Sequence, residues 1–233
     1  MCVTAQNIFI LANYFDFDIM ENELFATIVG SHMWKMQRPD SDLDIFTCYV
    51  GPTRDLLIGR QFKSVSTPLP DDNLDMTEHE IGKVVNMLIK GNINFVWGLT
   101  SPEIETTTPY HEDLIKIFKQ ELSKNVYHSI DGLFRNNYKK YVSKVKKIQP
   151  KRIWMMYRTL KFGIALLETG ELNYKAVDTT ISLKDLNEAH LELANAFENS
   201  TLKTEPKTEV YYDFLYTYLL DRYIICIYYN REN

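Results

Sequence analysis

The chain has 233 residues, 45% of them hydrophobic, with 31 acidic and 26 basic side chains and a net charge of −5. That length and apolar share can bury a real core, as one domain or a compact pair. The acidic balance excludes a uniformly basic nucleic-acid binder, so any RNA or DNA contact has to use a local positive patch. No run of eighteen apolar residues occurs, and the start, MCVTAQNIFILANYFDF, lacks the basic opening and small-residue cleavage site of a secretory signal. No membrane association is expected. Cys2, Cys48 and Cys226 are odd in number and far apart, without metal-ligand spacing, which predicts a reducing, cytoplasmic setting.

Residues 5–15 carry Ile8, Leu11 and Phe15 at helical spacing and predict a helix behind the first strand. The apolar run Leu24 to Val29 ends in Gly30-Ser31, and ten residues further on Asp42-Leu43-Asp44 opens a second run, Ile45 to Val50. The pattern reads as strand, turn, loop, strand. Side chains two apart on a strand share a face, so Asp42 and Asp44 bring two carboxylates together. The natural occupant of such a pair is a hard divalent ion, Mg²⁺ or Mn²⁺, held by one or two carboxylates and substrate phosphates. Gly30 would then let the backbone approach a ligand, and the Ser31 hydroxyl would grip a phosphate. Together these residues predict phosphoryl transfer. The competing reading of the pair is an acidic strand edge that deters aggregation. Asp16-Phe17-Asp18 and Asp40-Ser41-Asp42 have the same spacing but open no apolar strand and read as solvated turn acids.

The loop His32 to Ser41 is expected near the ligand, with Lys35 and Arg38 either neutralising phosphate or solvated, and His32 a local hydrogen-bonding residue. Gly51-Pro52 marks a turn, and Arg60 to Ser66 alternates like an edge strand. Leu74-Asp75-Met76 predicts a short third strand running into a helix with Thr77 as N-cap and Glu80 closing a capping box. Ile81, Val84, Val85, Leu88 and Ile89 form that helix's buried face. From its surroundings alone, Asp75 is a helix-start acid favoured by the dipole.

After Gly91 the composition turns helical, with a boundary between Ser101 and Pro109. Leu114, Ile117, Phe118 and Leu122 mark one amphipathic helix; Phe134, Tyr138, Tyr141, Val145 and Ile148 mark another. On the second, Lys140, Lys144 and Lys147 fall at i, i+4 and i+7, thickened by Lys139, Lys146, Lys151 and Arg152. This is either a polyanion-facing stripe or a plain solvated face. Pro150 breaks the pattern, and Lys151 to Glu168 predicts an apolar helix ended by Gly170. Lys151, Arg158 and Lys161 lie near one face of it. A cation on such a helix needs a partner, either phosphate or a core carboxylate. Ser182 to Phe197 predicts a further helix, and Tyr211 to Tyr229 a tyrosine-rich one, suited to packing or to stacking exposed bases.

Gly30-Ser31 followed by Ser41-Asp42-Leu43-Asp44 resembles the signature of the polymerase-beta-like nucleotidyltransferase superfamily. A second block, Asp75 to Lys83 with Leu88 to Asn94, is similar to the predicted nucleotidyltransferases associated with RNA repair. The resemblance covers residues 22–104 well, with a weaker echo from Arg158 to Leu172. It implies an α+β fold: a small mixed β-sheet core with flanking helices over residues 1–104, followed by a C-terminal helical half, 105–233, that walls the active-site cleft. Asp42 and Asp44 would bind two metal ions, and Asp75, as the third carboxylate, would bind the metal beside the acceptor and assist its deprotonation. Gly30, Ser31 and Ser41 would hold the nucleoside triphosphate. A nucleoside monophosphate would pass to an acceptor hydroxyl with release of pyrophosphate. RNA is the expected acceptor, met by Lys140, Lys144, Lys147, Lys151 and Arg158. The alternatives are a protein hydroxyl, as in toxin-antitoxin pairs, and a catalytically silent nucleotide- or RNA-binding module.

Overall fold

Two apolar strands form the centre of the sheet: β1 (Glu23–Ile28) pairs antiparallel with β2 (Leu43–Tyr49), Thr27 opposite Phe46 and Ile28 opposite Ile45. The computed structural model describes residues 22–52, 55–56, 58–68, 73–178 and 180–229. The helix expected over 5–15 and the Asp16–Asp18 turn lie outside them. Between the two strands, α1 (Gly30–Met33) makes a single turn. A short edge strand, β3 (Val65–Pro68), then pairs antiparallel with β4 (Leu74–Glu80). β4 lies parallel to β2, and β5 (Ile104–Thr106) closes the other side against β1. The five strands run β3-β4-β2-β1-β5, a mixed sheet in an α+β chain, as expected.

Alternation along β2 separates two environments. Phe46 and Cys48 enter the main core, whereas Ile45 joins a small cluster with Ala26 and Met76 on the opposite face. Asp44, two residues before Phe46, therefore belongs to the helix-covered face at its open end. Gly98 explains how a helix comes so close, since a Cβ there would meet the Phe46 ring at 2.4 Å. The same backbone accepts a hydrogen bond from the buried Thr27 hydroxyl at 2.6 Å.

The helices are α2 (Ile81–Ile89), α3 (Ile93–Thr100), α4 (Pro109–Gln120), α5 (Val126–Tyr138), α6 (Pro150–Thr169), α7 (Leu183–Asn199) and α8 (Thr208–Tyr229). α2 buries Ile81, Val84, Val85 and Leu88 at the expected spacing. Its start is not where the Thr77–Glu80 capping box put it. β4 continues through Thr77 to Glu80, because its parallel ladder with β2 persists to Tyr49–Glu80. Glu80 is itself the N-cap and accepts from the Lys83 N–H at 3.2 Å. α7 does begin with a capping box, Ser182 with Asp185, and α6 ends at Gly170 in the left-handed conformation, φ 73°.

The helix expected to run on through Ile148 stops at Tyr138, passes through one π turn (Lys139–Ser143) and then bends. Residues 139–147 hold five lysines and no acid, and like charges stacked at i, i+4 oppose an α-helix. Lys140, Lys144 and Lys147 accordingly share no α-helical face. On the helix-covered face, buried apolar side chains form one continuous cluster from Leu24 on β1 to Tyr218 on α8, with Trp34, Phe118, Leu160, Phe162 and Leu193 among its members. Each such side chain contributes about 1.5–3 kcal/mol on burial, so the sheet and the later helices stabilise one another. Among the described residues no helix is long and apolar enough to cross a membrane.

Candidate active site

Where β1 ends, the chain turns sharply at Gly30, and this turn seats the acidic residues. Gly30 has φ 64°, and a Cβ on it would lie 1.8 Å from Asp44 Oδ2. The Asp44 carboxylate thus rests on the Gly30 backbone, while the Val29 N–H donates to the Asp44 carbonyl at 2.8 Å. Asp42, exposed, precedes β2 by one residue, and the Leu43 N–H extends the ladder to the Asn73 carbonyl at 2.7 Å. Asp75 stands directly beside Asp44 in the parallel register of β4 and β2. Its Oδ1 accepts from the Ser66 hydroxyl at 3.1 Å.

The three carboxylates feel one another. The Asp44 pKa is raised above the ordinary aspartate value by burial, then by the charges of Asp75 and Asp42, with His32 and Lys151 opposing. Among the described residues, no group of three or more His, Cys, Asp or Glu closes on a common point as a complete metal cage. The donor set nevertheless suits a hard cation: oxygen-only ligands, mutually repelling as they stand, with room for phosphate and water oxygens.

A cavity of about 210 Å³ lies against this edge. Gly30, Ser31, Ser41, Asp42 and Asp44 line one side, and Lys151, Arg152, Trp154, Met155 and Arg158 of α6 line the other. Residues expected at the site from sequence thus lie on both walls, Lys151 and Arg158 included. Ser41 also has a local task, accepting from the Arg38 N–H at 2.8 Å. Asp75 lies beside the cavity and not on its lining. Of the loop residues, Arg38 reaches the cavity, whereas Lys35 is ion-paired with Glu103. Trp34 is turned into the core, 1% exposed.

Lys140, Lys144 and Lys147 are exposed and outside the cavity. The basic segment still joins its wall through Tyr141: the Lys140 ammonium lies 4.9 Å and the Arg152 guanidinium 4.4 Å from the Tyr141 ring centroid. Of the cations on α6, Lys161 has a carboxylate partner, Glu192 at 2.7 Å. Arg158 has none among the described residues and is buried over the Trp34 ring. Trp154 was missed from sequence. Its signal was present, since 151, 154 and 158 fall at i, i+3 and i+7 on one helical face.

The fold thus presents a carboxylate pair beside a glycine-serine turn on a mixed sheet, faced across the cavity by Lys151, Arg152 and Arg158 of α6. The chain belongs to the RNA repair pathway DNA polymerase beta family (RlaP), a polymerase-beta-like nucleotidyltransferase family whose model matches residues 15–221. It is 28% identical over 155 residues to "Uncharacterized protein MJ0002" of Methanocaldococcus jannaschii, an alignment over 65% of this chain and 63% of that protein. The match thus spans under two thirds of that relative's length. Among solved structures, it is similar to spectinomycin adenyltransferase AAD(9) from Enterococcus faecialis with ATP and spectinomycin, at 12% identity and a TM-score of 0.43, over 91% of this chain and 97% of that one.

Proposed function

We propose that this protein is a metal-dependent nucleotidyltransferase that moves a nucleoside monophosphate from a nucleoside triphosphate to a hydroxyl of RNA, in repair or end modification, and releases pyrophosphate. The observation that carries the proposal is the cavity itself, with Asp42 and Asp44 seated against Gly30 on one wall and the cations of α6 on the other. Residues 1–104 act as the catalytic core, and residues 105–233 wall the cleft.

In this reading Asp42 and Asp44 hold Mg²⁺ or Mn²⁺. The ion, when bound, neutralises charge on the triphosphate and makes the acceptor hydroxyl more acidic. The Gly30-Ser31 turn holds the β and γ phosphates, and Ser41 keeps the loop beneath them closed. Asp75 takes the proton of the acceptor hydroxyl. The freed oxygen bonds to the α-phosphorus as the α–β bridge breaks, and the electron pair leaves with pyrophosphate. Phosphoryl transfer of this kind is chiefly positioning and charge compensation. Lys140, Lys144, Lys147 and Lys151 supply the surface for the RNA backbone.

The test is to incubate the protein with labelled nucleoside triphosphates, Mg²⁺, a mixed small-RNA pool and a cell extract, and to ask which macromolecule carries the label. Label on RNA is expected. Label on protein alone would replace the RNA reading with modification of a protein hydroxyl, and no label anywhere would leave a binding module.

A further inference from the structure

The wall of the cavity facing the carboxylates carries buried donors with nothing to donate to. Arg158 is 8% exposed. Its Nε, like the indole Nε1 of Trp154 one turn earlier on α6, is buried without an acceptor among the described residues. Both residues line the cavity that Gly30, Ser31, Asp42 and Asp44 line from the other side. The Arg158 guanidinium lies 4.5 Å from the centroid of the Trp34 ring, a contact that holds it without neutralising its charge. Burial, with no compensating carboxylate, pulls its pKa from 12.5 down to about 10, so the side chain still carries its charge near neutral pH. One turn further along, Lys161 satisfies the same requirement with Glu192 at 2.7 Å.

A buried cation without a counter-ion is far more costly than a buried apolar side chain of the same size. A protein that keeps one beside a cavity keeps it for what enters the cavity. The chemistry of that visitor is constrained by the wall. Lys151, Trp154 and Arg158 offer donors only, so the visitor supplies acceptors only. The arginine fork matches phosphate oxygens in pairs.

We propose that Arg158, held against Trp34, is the buried receptor for the polyphosphate of the nucleotide, assisted by the indole N–H of Trp154. The proposal rests on the nucleotide-transfer reading but moves Arg158 from the RNA-contacting surface to the interior of the nucleotide site. Arg158 is a binding residue on the wall opposite the metal-holding carboxylates. Its contribution therefore persists when no divalent ion is present.

That independence sets the experiment. Inorganic tripolyphosphate is titrated into the full chain in EDTA by calorimetry, and melting temperatures are recorded with and without it, for wild type, Arg158→Met, Arg158→Lys and Asp44→Asn. Arg158→Met is expected to melt at or above wild type without ligand, since it removes an uncompensated buried charge. It should bind tripolyphosphate on the order of 10- to 100-fold more weakly. Asp44→Asn is expected to retain that binding, so a failure of the metal-dependent chemistry is distinguishable from a failure of this proposal. A folded Arg158→Met with wild-type affinity overturns it, as does a wild type that binds no tripolyphosphate. Should Arg158→Met not fold, Arg158→Lys decides: weaker binding supports the proposal, and unchanged affinity overturns it.

Discussion

Gly30 and Asp44 illustrate how a single hydrogen atom can position a carboxylate. The carboxylate occupies the space where any other residue would carry its Cβ. Gly30→Ala would both strain a left-handed backbone and push Asp44 away. We expect nucleotide transfer to fall by about 100-fold, the scale associated with a displacement of roughly 1 Å. Gly59→Ala is the control, since Gly59 has φ 70° and nothing within 4 Å of the point a Cβ would occupy. It carries the backbone strain without the collision, so its kcat/KM should stay near wild type. Equal losses in the two variants would make backbone strain, and not the Asp44 seat, the cause.

His79, at the far end of β4, is a titrating group built into the core. Lys83 Nζ can only donate, and it does so to Ser64 Oγ at 2.5 Å. The Ser64 hydrogen is then directed to His79 Nδ1, 2.7 Å away, which fixes a neutral imidazole. The ring is 7% exposed and packs on Phe46 and Phe95. Burial, with the Lys83 charge adding to it, lowers its pKa from 6.5 to about 4. A depressed histidine binds fewer protons folded than unfolded. The stability it gives is therefore complete above about pH 6.5 and lost as the pH falls toward 4. The loss is on the order of 3 kcal/mol. Urea unfolding of wild type should show that acid limb, and His79→Gln should flatten it. An unchanged limb would assign acid sensitivity to other groups.

At the level of strands and helices, regular periodicity was readable and its interruptions were not. The strands before Gly30 and after Asp42, the apolar face of α2 and the Pro150-to-Gly170 limits of α6 follow from spacing and from residues that start or stop a helix. The π turn at Lys139–Ser143 was hidden because Tyr141 and Val145 continue an apolar period across it, while the opposing lysine repulsion is summed over a whole segment. The end of β4 was hidden for a related reason: Thr77 and Glu80 have the residue types of a capping box, but pairing with β2, which no local pattern reveals, holds them extended. Under the proposed RNA contact the lysines, lying on a turn and bend beside Tyr141, would act as separate phosphate-binding groups. Replacing Lys140, Lys144 and Lys147 with glutamine should weaken RNA binding and flatten its log-log salt dependence by roughly 0.7 to 0.9 for each phosphate no longer neutralised. An unaltered salt slope would reduce them to a solvated face.

Across the molecule, the site depends on the sheet and the later helices sharing one core. Asp42, Asp44, Gly30 and Ser31 could be named from sequence because they are close along the chain, their spacing puts the two carboxylates on one face, and the resemblance to the nucleotidyltransferase signature favours a site over an acidic strand edge. The opposite wall could not be assembled in advance. Whether Arg158 meets a phosphate or a core carboxylate turns on what packs around α6, more than a hundred residues from the carboxylates in sequence, and on Trp34 being buried beneath it. If this two-walled cavity transfers a nucleotide with a divalent ion held by Asp42 and Asp44, the ion and the carboxylate should be equally indispensable. That is measured by label transfer from nucleoside triphosphate to acceptor, with pyrophosphate release, in wild type and Asp44→Asn, with Mg²⁺ and with EDTA. Transfer is expected only from wild type with Mg²⁺, alongside an Asp44→Asn protein that melts no lower than wild type. Transfer at the wild-type rate by Asp44→Asn, or in EDTA, would contradict the proposed mechanism.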